Sequence, residues 1–68
     1  MTKPDLTANE MDVLESIIDR MSVSDVLYAV EAICLSKADH VRANWQDEGL
    51  AKEWEHRAAV LSKAAQKV

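Results

Sequence analysis

One glycine, Gly49, and one proline, Pro4, are the only representatives of the two strongest chain-reversing residues in 68 positions. Hairpins, bulges and sheet corners draw on more of both. Alanine, leucine, glutamate and lysine are plentiful instead, and these are good helix formers. The chain is therefore expected to be all-α, and a chain this short buries only about 60% of its unfolded surface, enough for one marginal domain spanning 1–68. Such a domain invites a further support: metal, disulfide or oligomerisation. Cys34 stands alone, so it closes no intrachain bridge, and no Cys/His cluster at zinc spacing accompanies it. That cysteine usage suits a reducing, cytoplasmic setting without cofactor or metal. No run approaches the roughly 18 apolar residues of a membrane span, and no basic-then-apolar leader opens the sequence.

Helix boundaries are written in the capping residues. Thr7-Ala8-Asn9-Glu10 has the form of a capping box, with Leu6 and Met11 placed as a hydrophobic staple. Met11, Leu14, Ile17, Ile18 and Met21 then recur at helical spacing, while Asp12, Glu15 and Asp19 fall on the other side. Ser22-Val23-Ser24-Asp25 repeats the capping grammar immediately, with Met21 and Val26 as a second staple. Two helices joined so tightly are expected to fold back or cross steeply.

The second helix carries a seam of Val23, Leu27, Val30, Cys34, Ala38, Val41 and Trp45. At 100° per residue the next stripe, Leu50, Trp54, Ala58, Leu61 and Ala65, lies opposite that seam if the helix continues. A break near Asp47-Glu48-Gly49 restores a common core, with Gly49 as the natural left-handed terminator. The rival is one bent helix through Gly49, which would demand a partner for each stripe. The expectation is a small three-helix bundle with helices at about 7–21, 22–47 and 50–66, the second the longest. Glu48/Lys52 and Glu53/Arg57 are placed as i,i+4 pairs, Trp45 and Trp54 as a pair closing one end of the core, and Lys3, Pro4, Asp5, Lys67 and Val68 as frayed ends.

One region asks for a partner. Around the seam of the second helix, Val26 and Ile33 occupy one flank and Tyr28 and Leu35 the other, with Ala29 and Ala32 behind. A helix apolar on every side belongs in an interior, yet two short neighbours cover only part of it. These four residues are the expected interface, most economically of a homodimer through the second helix. Alternatives are that the first and third helices wrap both flanks, or that another protein covers them.

Motifs for chemistry are sparse. Glu53-Trp54-Glu55-His56 holds one Glu-x-x-His, the spacing of bundle di-iron sites, but such sites need a second copy and further carboxylates. His40 and His56 both point away from the seams, and no nucleophile stands beside either. Cys34, on the seam, reads as a small hydrophobe. Residues 1–39 hold eight acids against Lys3, Arg20 and Lys37, a balance of −5, whereas residues 40–68 balance at +1. Asp12, Glu15 and Asp19 form an acidic face suited to steering a basic partner. The tight first junction resembles a helix-turn-helix, but the second helix opens on Ser22, Ser24 and Asp25 with no basic residue, the wrong electrostatics for a phosphate backbone.

The sequence thus reads as a small acidic, non-catalytic protein–protein interaction module: a regulator, adaptor or inhibitor acting through helical faces on a protein of unspecified identity. Its size and charge are those of small acidic helical proteins of phages and bacteria, a likeness of composition that assigns no residue. The alternatives are a nucleic-acid-associated transcriptional regulator using Arg57, Lys63 and Lys67 on the third helix, and, behind it, a metal-binding helical bundle.

Overall fold

Thr7 opens the first helix as the sequence requires. In the computed structural model, which describes residues 5–68, its hydroxyl accepts the Glu10 N–H at 3.1 Å while Glu10 accepts the Thr7 N–H at 2.8 Å, two otherwise unsatisfied donors closed reciprocally. Helix α1 runs Ala8–Arg20. Ser22 caps α2, Val23–Trp45, by accepting from the Asp25 N–H at 3.0 Å. Asp47 caps α3, Glu48–Ala65, by accepting from the Leu50 N–H at 3.0 Å. The chain is all-helical, with three helices and no strand among the described residues, consistent with a small three-helix bundle. No helix among them is long and apolar enough to cross a membrane. Lys3 and Pro4, expected in a frayed end, lie outside the described residues; Asp5 and Val68 are exposed and without regular structure.

Packing is concentrated in one helix pair. Ser24, at the start of α2, donates its hydroxyl to the Ala65 carbonyl at the end of α3 (2.8 Å), and Arg42, near the end of α2, reaches Glu48 and Glu55 near the start of α3. The two helices are therefore antiparallel, and among the described residues they supply every buried side chain: Cys34, Ala38 and Val41 from α2, Ala51, Ala58 and Ala65 from α3. Their small size keeps the core thin. Trp54 packs half-buried on the Ala38–Val41–Ala51 cluster.

Helix α1 stands apart. It buries no side chain, meets α2 only sparsely and α3 not at all. Ile17 and the following Met21 are half-buried, whereas Met11, Leu14 and Ile18, expected in the core, are exposed. The two linking residues, Met21 and Ser22, are both extended, so α1 leaves the hairpin instead of folding back along it.

The second turn corrects the sequence reading. Gly49 does not terminate α2; it has no positive φ and sits in the first turn of α3. Gln46 takes the left-handed conformation instead, at φ 52° and ψ 32°. Once Asp47 accepts from Leu50, residues 48–50 are committed to a helix, and the reversal must come earlier. This shortens the turn and also undoes the tryptophan pair. Ala51, fully buried, takes the position facing Ala38 and Val41, while Leu50 is exposed and Trp45 stands 72% exposed.

Two substitutions separate these readings. Gly49→Ala should stabilise by about 0.4–1 kcal/mol, since the site is helical and the new Cβ meets only Asp47 Oδ1 at an ordinary 3.5 Å. Gln46→Gly should stabilise by about 0.5–1 kcal/mol through relief of left-handed strain. Urea denaturation measures both; destabilisation by Gly49→Ala would restore glycine as the terminator.

Candidate interaction surface

The two edges of the α2–α3 hairpin differ in character. By the helical rotation of 100° per residue, Ser24 and Arg42 share one side of α2, and Val26, Ile33 and Lys37 share the other. On the first edge Arg42 forms a clamp: its Nε donates to Glu48 Oε1 at 2.7 Å, Nη2 to Glu48 Oε2 at 3.2 Å, and Nη1 and Nη2 to the Glu55 carboxylate at 3.4 and 3.3 Å. The planar guanidinium fits this fork geometry, which a lysine could not match. With Ser24–Ala65, it closes this edge at both ends. Glu48 is thereby drawn across the turn, and the expected Glu48–Lys52 pair gives way to it; Glu53–Arg57 persists as a loose i,i+4 contact at 4.0 Å.

The opposite edge is open. A shallow groove there is lined by Cys34, His56, Arg57, Val60 and Leu61, with Ile33 and Val60 exposed by 55% and 52%. At its end Trp54 lies beneath two cations, the Arg57 guanidinium 4.6 Å and the Lys37 ammonium 5.7 Å from the ring centroid, arrangements that favour the electron-rich ring face. The free thiol of Cys34 is buried on the groove floor.

Of the four residues expected at an interface, Tyr28, Ile33 and Leu35 are exposed and Val26 is half-buried. The same rotation divides them: Val26 and Ile33 lie on the open-edge side of α2, Tyr28 and Leu35 on the clamped side. Asp12, Glu15 and Asp19 are exposed on α1, alongside an apolar face formed by Leu6, Val13, Leu14 and Ile17. That α1 face is larger than the sequence reading implies: Leu14 and Ile17 read as core, Leu6 as a staple, and Val13 belongs to neither. Lys63 and Lys67 are exposed, and Arg57 is engaged with Trp54 and Glu53. His40 is exposed and held by Asn44, whose Nδ2 lies 3.1 Å from its Nδ1 and donates to its carbonyl at 2.9 Å. Among the described residues, no three His, Cys, Asp or Glu side chains are grouped to hold a metal.

Hydrogen bonding shifts two carboxylates. The Thr7 backbone N–H and hydroxyl hold Glu10 below the usual carboxylate range, and the Arg42 guanidinium does the same to Glu48, while the two glutamates raise Arg42 further above its ordinary value. Comparison of the chain with models of known families, with curated proteins and with solved structures finds no match in any of the three.

The lowered groups set an acid dependence. Because their folded pKa values lie below the unfolded ones, the stabilisation is complete above the ordinary value of 4.5 and is lost as pH falls through the depressed values. Denaturant titrations between neutral pH and the acid range should show this loss, and Arg42→Gln should remove the Glu48 part. An unchanged acid slope in Arg42→Gln would disprove the clamp.

Proposed function

We propose that the chain is a small non-catalytic protein–protein interaction module, a regulator, adaptor or inhibitor that occupies another protein's surface through apolar helical faces, and that it self-associates through α2. The supporting observation is the amount of apolar surface that no intrachain neighbour covers: Tyr28, Ile33 and Leu35 on α2, with Val26 half-buried beside them. Each side chain of this kind contributes about 1.5–3 kcal/mol when fully buried. In a fold whose own core contains nothing larger than valine, that is an appreciable share of the stability available. Apolar anchors of this type set affinity, and the exposed carboxylates of Asp12, Glu15 and Asp19 set association rate and partner choice.

The non-catalytic part draws on the separation of the reactive side chains. His40 is tied to Asn44, Cys34 is buried in an apolar groove, and among the described residues no nucleophile is hydrogen-bonded to a base.

Sedimentation at micromolar concentration tests the reading. The chain should run above monomer mass, and whichever of Ile33→Glu and Leu35→Glu falls on the flank buried between copies should shift it toward monomer without loss of helical circular dichroism, since both sites are exposed. A clean monomer that neither substitution alters would retire it.

A further inference from the structure

Helix α1 has little surface of its own chain to lie on, yet it is helical. Thirteen residues are marginal as an isolated helix in water, and the Thr7–Glu10 box alone does not make up the difference. Its apolar face, with Val13 59% exposed, therefore needs an apolar counterpart. Its own hairpin does not provide one. The link is only Met21 and Ser22, both extended; Met21 N–H is bonded to the Ile17 carbonyl and Ser22 Oγ to the Asp25 N–H. Each linking residue is thus tied to a helix end, and together they hold α1 away from the hairpin.

The hairpin offers a matching vacancy on its open edge: the Cys34–Val60–Leu61 groove, with Lys37 and Arg57 at its end.

Size supplies an independent argument. A folded monomer of 7.6 kDa exposes about 4,300 Å², whereas this chain exposes 5507 Å², an excess on the order of 1,000 Å². The radius of gyration is 13.8 Å against about 11 Å for a compact chain of this length. Burying that excess on each of two copies gives about 2,000 Å² in total, where obligate homodimer interfaces begin.

We infer that the occupant of the groove is α1 of a second copy, exchanged reciprocally, so that two copies complete two three-helix units across a two-fold axis. The inference rests on the self-association proposed above and specifies its surface: the Val26 and Ile33 flank of α2 is used between copies, and the Tyr28 and Leu35 flank remains outward.

Cross-linking between distinguishable chains tests it. A tagged Val13→Cys, Cys34→Ala chain is mixed with an untagged Val60→Cys, Cys34→Ala chain and treated with a short bismaleimide. Val13 and Val60 are exposed, so the fold tolerates both changes. The expected result is a covalent heterodimer, formed roughly tenfold more than when the untagged chain carries Leu35→Cys instead of Val60→Cys, as held proximity requires. Preferential linkage to the Leu35→Cys chain would overturn the exchange while leaving self-association through α2 intact. Intrachain bridging in a monomer carrying both Val13→Cys and Val60→Cys would overturn it in favour of α1 closing on its own hairpin. Sedimentation of the unaltered chain as a monomer would remove both proposals.

Discussion

Ala51, Ala58 and Ala65 recur every seven residues along α3 and are all buried, Ala51 against Ala38 and Val41 of α2. The separation of two packed helices is set by the side chains between them, and here those side chains are small. A close, narrow contact results, stiffened at its ends by Ser24–Ala65 and the Arg42 clamp. The larger apolar residues, Ile33, Leu35, Tyr28 and Val60, are left around it instead of inside it. The surplus of exposed apolar surface is thus a consequence of how α2 and α3 meet, and it is distributed on a groove edge and an outer flank.

The same contact explains the isolation of α1. A three-helix bundle of large side chains would enclose its third helix in a shared core. A hairpin sealed along small residues already satisfies its own seam and offers α1 only an edge. The extended Met21–Ser22 link then directs α1 outward, and the charge is divided between elements: the acids of α1 and the cations around Trp54 stand apart.

Local signals were legible in the sequence wherever one residue satisfied another a few positions away. The Thr7 and Ser22 caps stand where their side-chain oxygens predicted, because capping is decided within a single turn. The existence of a break between the second and third helices was legible too, from the change of hydrophobic phase. Its mechanism was not. Glycine drew attention as the usual left-handed residue, but Asp47 had the competing claim of an N-cap, and that claim moved the strain to Gln46. Alanine caused a second misreading: Ala51 was passed over for Leu50 because hydrophobicity marks large residues, while close helix contact selects small ones.

What the sequence determined by itself is the all-helical class, the two capped starts of α1 and α2, and the excess of apolar circumference on α2, all of which depend on neighbours within about a turn or on simple periodicity. What only the tertiary structure decided is the pairing of Arg42 with Glu48 and Glu55, the exposure of Trp45, the open and closed edges of the hairpin, and the detachment of α1. Those depend on the distance and rotation between helices, quantities set by how side chains far apart in sequence share a limited space, and no local pattern encodes them.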